Sequence, residues 1–192
     1  QILKTKNISI SSYVSAIGDI SIDLEMNNFN PDNIYKNNVR CPIDSVAKKM
    51  EELILKCKSD GDTIGGKVST VIKGLPVGLG EPVFNKLQAS IARSIMSINA
   101  CKGIEFGLGF KSSEMKGSEV NDVFVLNEKN EVCTKTNYSG GVLGGISNGN
   151  DICFRSAFKP VSTIFKSQET INKSLEEVDY TPSGRHDPCV VP

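Results

Sequence analysis

The sequence predicts an α+β protein. Two stretches repeat apolar residues at helical spacing, and the strands around them look joined by hairpins rather than separated by regular helical crossovers. That pattern argues against a doubly wound parallel sheet. At 192 residues the chain is expected to be a single domain spanning 1–192, or a large part of one.

Residues Ile8 to Asp23 alternate enough for one or two strands. Asn27 to Asn38 is rich in Asn and holds Pro31 and Asp32, the composition of a surface loop. After Pro42, residues Ile43, Val46, Met50, Leu53, Ile54 and Cys57 share one helical face. Gly61 is expected to stop that helix. Lys67 to Lys73 reads as a strand. A second helix is expected from Pro82, with Phe84, Leu87, Ile91, Ile95 and Ile98 as its apolar stripe. Val123–Leu126 and Glu131–Thr134 flank Asn127-Glu128-Lys129-Asn130 as a hairpin would. Asn148-Gly149 signals a tight turn, Ile152 to Phe158 alternates like a strand, and Gln168 to Ser183 is polar and expected to be mostly loop.

Composition excludes several functions. Formal net charge is zero, so bulk electrostatics favour neither nucleic acid nor an acidic membrane. No apolar run reaches the ~20 residues of a membrane span. The start, Gln1-Ile2-Leu3-Lys4, is no signal peptide and is not expected to be a natural beginning. The six cysteines are scattered without CxxC spacing. They read as free thiols of a reducing cytoplasm, not as a zinc site.

Two stretches carry chemistry: Lys159-Pro160-Val161-Ser162-Thr163 and Gly184-Arg185-His186-Asp187-Pro188-Cys189. Each sets a cation beside hydroxyl or acidic groups, which suits a phosphorylated small molecule. Asp187 is placed to act as a base. Taken alone, Lys159 reads first as a strand end reaching solvent, and Arg185-His186-Asp187 equally as a salt-bridged turn. His186 is the only histidine, which rules out a multi-His metal site within this chain. The glycine-rich run from Ser139 to Gly149 fits either a flat ligand or a tight turn network. Gly74 to Pro82 is a poor phosphate cradle, because Glu81 repels an anion and no P-loop lysine follows.

Taken together, five motifs resemble the signatures of the chorismate synthase family. They are Gly78-Leu79-Gly80-Glu81-Pro82-Val83-Phe84, Met96-Ser97-Ile98-Asn99-Ala100-Cys101-Lys102-Gly103, Gly140 through Gly149, Phe158-Lys159-Pro160 and Gly184 through Cys189. They come in the family's order and cover the chain from about Tyr13. The resemblance implies a β-α-β sandwich with helices between antiparallel sheets, a homotetramer, and conversion of 5-enolpyruvylshikimate 3-phosphate to chorismate by 1,4-anti elimination of phosphate. It implies reduced FMN as cofactor, with NADPH as reductant where a family member is bifunctional. It assigns flavin contacts to Asn99, Ala100, Gly144, Lys159, Pro160, Val161, Ser162, Thr163 and Arg185, and protonation at the flavin to Asp187. It covers about half of a usual member. The two catalytic histidines and most substrate-binding arginines belong to an N-terminal half not represented here, so the chain is expected to be a fragment, inactive or nearly so alone; the alternatives are a non-catalytic flavin- or phosphate-binding domain and a structural fragment of that enzyme. Asn85 and Gln88 stand where acidic residues are usual.

Overall fold

The computed structural model describes residues 2–22, 26–184 and 186–192. A short helix α1 (Ile2–Thr5) leads into β1 (Ser9–Ile17) and β2 (Ile20–Ser21), then α2 (Asp44–Ser59), β3 (Gly66–Lys73), α3 (Leu87–Met96) and β4 (Cys101–Phe106). A further short helix α4 (Gly117–Val120) precedes β5 (Phe124–Leu126), β6 (Val132–Thr134), β7 (Val142–Leu143), β8 (Ile146–Ser147), β9 (Ile152–Phe158), β10 (Gln168–Ile171) and β11 (Glu177–Tyr180). Five strands form one antiparallel sheet in the order β2-β1-β3-β9-β4. The remaining strands form three separate two-stranded ribbons. The class is α+β, as expected, with helices layered on an antiparallel sheet.

Both long helices pack on the same sheet face. The register sets Val14, Val68 and Ser156 side by side, and likewise Ile10, Ile72 and Ile152. A bulge in β1 between Val14 and Ala16 turns Ile17 to the same side as Val14. This is why the alternation of Ile8 to Asp23 is imperfect in the sequence. Val14 and Ile17 meet Ala47 and Met50 of α2 in one core cluster, flanked by Ile43, Val46, Leu53 and Ile54. Burying a side chain such as Met50 contributes about 1.5–3 kcal/mol. Asp44 in the first turn and Lys56 and Lys58 in the last match the helix dipole. Gly61 follows with φ +65°, the left-handed stop that the sequence predicts. The second cluster joins Ile152 and Phe154 of β9 to Leu87, Ile91 and Ile95 of α3.

The opposite sheet face carries a cross-strand row, Tyr13, Ser69, Arg155 and Glu105. The Tyr13 ring packs 4.5 Å from that of Phe29, and burial pushes its phenol up to about 12. Arg155 Nε lies 2.8 Å from Glu105 Oε1, and its Nη2 donates to the Gly107 carbonyl at 3.0 Å.

Three expectations change. The second helix begins at Leu87, not Pro82: Glu81 and Asn85 exchange backbone hydrogen bonds at 2.9 and 3.0 Å, closing a tight loop that leaves Phe84 91% exposed. Pro31–Lys36 is a 3-10 helix with Ile34 buried, started by the Asn30 side chain accepting from the Asp32 amide. The polar stretch from Gln168 contains the β10–β11 hairpin, every strand residue of which is exposed. Its turn repeats that of β5–β6. In both, an Asn side chain (Asn127, Asn172) accepts from the amide of the Glu four residues on (Glu131, Glu176). Asn148-Gly149 turns the chain between β8 and β9, as the sequence predicts, although β8 pairs with β7 and not with β9.

Candidate functional site

Antiparallel pairing of β4 with β9 decides where the candidate site forms. Cys101 opens β4 opposite Phe158, which closes β9. Asn99-Ala100 and Lys159 therefore meet at one end of the sheet, and the Lys159 amide donates to the Ala100 carbonyl at 2.9 Å. Ala100 holds φ +65°, a left-handed conformation that costs a non-glycine residue about 1–2 kcal/mol. Strain of that kind collects where a carbonyl must be aimed.

The segment after Lys159 is tied to the loop after α2. Thr63 Oγ1 donates to the Val161 carbonyl at 2.6 Å, and the Phe165 amide donates to the Gly61 carbonyl at 2.9 Å. A Cβ on Gly65 would meet the Phe158 carbonyl at 2.5 Å, so only glycine lets that loop pass. The C-terminal stretch joins the same place. The Ile64 amide donates to the Pro188 carbonyl at 2.8 Å, and the His186 ring lies 5.1 Å from that of Phe165. Cys189 and Val191 then pack against the α2 core, where burial pushes the Cys189 thiol up.

The fold thus gathers Asn99, Ala100, Lys159, Pro160, Val161, Ser162, Thr163 and Asp187 at one sheet end. Arg185 lies outside the described residues. Gly144 is elsewhere: it turns the β7–β8 ribbon at φ +60°, and the neighbouring Gly145 carbonyl accepts from the amide of Leu87, where α3 starts. Ala100 follows the other end of α3, a helix about 15 Å long for its ten residues. Residues the sequence did not point to are Thr63 and Phe165, and Gly61, read there only as a helix stop, joins them. No motif marks them, because their role arises from long-range hydrogen bonds.

Lys159 is exposed and makes no ion pair among the described residues. With the exposed Ser162 and half-buried Thr163, it supplies a cation and hydroxyl donors, a set that suits a phosphate or a polar ring edge. Asp187 is exposed, one residue before the Pro188 carbonyl that accepts from Ile64. Asp62 and Lys166 pair at 2.6 Å at the rim. That hydrogen bond holds the Asp62 carboxyl below its usual range and raises the Lys166 amine. On the opposite sheet face lies a cavity of about 720 Å³, lined by Asn137, Asp151, Cys153 and Arg155 among others. It contains none of the residues predicted for the site.

Comparison with known proteins then decides the family. Residues 1–192 match the family described as chorismate synthase. The chain belongs to the chorismate synthase family. A chorismate synthase of Phocaeicola vulgatus is 53% identical over 190 residues, covering 99% of this chain and 53% of that protein. One of Cytophaga hutchinsonii is 52% identical over 191 residues, with 100% and 53% covered. A crystal structure of chorismate synthase superposes with a TM-score of 0.75 at 30% identity, covering 83% of this chain and 52% of that one. The chain spans about half the length of the curated relatives it matches.

Proposed function

We propose that the protein carrying this chain is the lyase that forms chorismate and phosphate from 5-enolpyruvylshikimate 3-phosphate by 1,4-anti elimination, using reduced FMN. The observation behind this reading is the joining of Ala100 to Lys159 beside the Gly61–Ile64 loop. It brings the family motifs at Asn99-Ala100, Lys159–Thr163 and Asp187 to one place. The donor chemistry there fits a flavin phosphate or ring edge.

In this reading Lys159, Ser162 and Thr163 bind and orient the anionic cofactor, and Asn99 and the strained Ala100 backbone set its position. Arg185 adds a second cation, and Gly144 adds a contact from the β7–β8 turn. Reduced FMN, when bound, supplies electron density that lets a poorly acidic carbon lose its proton as phosphate departs. Fixed cations stabilise the charge growing on that phosphate, most strongly where binding excludes water. Asp187 holds or receives a proton at the flavin; an unaided carboxylate would be a weak base for the carbon itself.

The same reading makes 1–192 a single-domain fragment of a cytoplasmic homotetramer. Alone it is inactive or nearly so, since it spans only half of its relatives. Anaerobic assay of the full-length protein with reduced FMN and substrate tests the lyase reading. Phosphate release that depends on FMN is expected; FMN-independent release, or none, would overturn it. Saturable FMN binding without turnover would favour a flavin- or phosphate-binding module instead. No helix among the described residues is long and apolar enough to cross a membrane.

A further inference from the structure

We propose that Gly61–Ile64, the loop leaving α2, is a positioning strap for the cofactor segment, with Thr63 as its central residue. The proposal rests on the flavin reading above but concerns residues that no motif marks. Four contacts leave this one loop for two separate parts of the site. The Gly61 carbonyl accepts from the Phe165 amide at 2.9 Å. Asp62 pairs with Lys166 at 2.6 Å. Thr63 Oγ1 donates to the Val161 carbonyl at 2.6 Å. The Ile64 amide donates to the Pro188 carbonyl at 2.8 Å.

The first three contacts reach the Lys159–Lys166 stretch; the fourth reaches the stretch bearing His186 and Asp187. The Phe165 and His186 rings then meet tilted, 5.1 Å apart, so the two stretches touch beside the strap that holds them both. The strap is itself braced, because Asp62 Oδ1 accepts from the Thr63 amide at 2.8 Å. It is also anchored at both ends, by the last turn of α2 through the Asp62 amide on the Cys57 carbonyl at 2.8 Å and by β3, which begins at Gly66. Thr63 matters most among the four. Its bond falls within Lys159–Thr163 itself, fixing the backbone between Lys159 and the hydroxyls of Ser162 and Thr163. The Asp62–Lys166 pair is exposed on both sides and holds little by comparison.

Thr63→Val keeps the shape and removes the hydroxyl, leaving the Val161 carbonyl without this donor. Thr63→Ser keeps the hydroxyl. In the full-length protein, FMN is titrated into wild type and both variants, and thermal stability is measured beside it. Wild type is expected to bind saturably, Thr63→Val to bind roughly three- to tenfold more weakly, the loss of about one hydrogen bond, and Thr63→Ser to lie near wild type. Absence of saturable binding by wild type would overturn the flavin reading itself. Saturable wild-type binding with an unchanged dissociation constant for Thr63→Val would overturn the strap alone, whether or not its melting temperature falls. Should Thr63→Val not fold, amide exchange on wild type decides: FMN is expected to slow the Phe165 and Ile64 amides together, and slowing confined to 159–163 would refute the coupling.

Discussion

Asp122 offers a sharp energetic test. The residue is only 9% exposed and sits between α4 and β5. It accepts from the Thr136 hydroxyl at 2.6 Å, the Tyr138 amide at 2.8 Å and the Ser139 amide at 2.9 Å. These bonds pin the 136–139 segment, of which Thr136, Asn137 and Tyr138 line the 720 Å³ cavity. Burial opposes ionisation of the carboxyl, but the bonds from Thr136, Ser139 and Tyr138 outweigh it and hold the group below its ordinary value. In Asp122→Asn, Oδ1 can keep Thr136 and Tyr138, while an amide NH2 faces the Ser139 N–H. One charge-assisted bond is lost, worth about 1.5–3 kcal/mol, and a donor is left opposed. A loss of about 2–4 kcal/mol follows, a shift of roughly 1–2 M in the urea midpoint at pH 7 for a slope near 2 kcal/mol/M. The sign with pH is fixed. A carboxyl lowered on folding stabilises above its unfolded value of about 3.9, and that stabilisation drains as pH falls through the lower folded value. The gap between wild type and Asp122→Asn should therefore narrow in acid below about pH 4. Urea melts of both proteins at pH 7 and pH 3 measure it. Equal midpoints at pH 7, or a gap that widens in acid, would refute the assignment of the three bonds to an ionised carboxylate.

Other outcomes are equally open to measurement. Lys159→Ala in the full-length protein should weaken FMN binding by at least about tenfold, in keeping with loss of a charge-assisted contact; titration reads it, and unchanged affinity would remove Lys159 from the site. Ile152→Ala should cost about 2–5 kcal/mol, because Ile152 is 0% exposed at the centre of the α3 core; chemical denaturation gives the value. Gly107→Ala should depress the melting temperature severely, since Gly107 has φ +56° and a Cβ there would collide with the Tyr138 carbonyl. Cys153, buried and with its thiol pushed up to about 11 by burial and by Asp151, should react with iodoacetamide at pH 8 far more slowly than the half-buried Cys133; peptide mapping over time shows the order.

What is local in the chain was legible from the sequence. The α2 face from Ile43 to Cys57, the stop at Gly61, the β5–β6 hairpin and the alternation of β9 all follow from periods and turn chemistry acting within a few residues. The class, α+β, follows from their arrangement, and five motifs carried the family. Local reasoning failed where a distant or less familiar interaction wins. Pro82 suits a helix start, yet the Glu81–Asn85 bridge turns it into a loop and delays α3 to Leu87. Gln168 to Ser183 looks like loop because its strands have no buried face, and its hairpin rests on Asn172 repeating the turn made by Asn127. The candidate site divides the same way. Lys159, Asn99 and Asp187 have chemical types and motifs that point to them. That Ala100 touches Lys159, that Gly144 lies beyond the far end of α3, and that Thr63 holds Val161 were decided only by the tertiary structure. Those facts depend on the pairing of β4 with β9 and on hydrogen bonds that join residues up to 98 apart, and no local pattern encodes a partner at that separation.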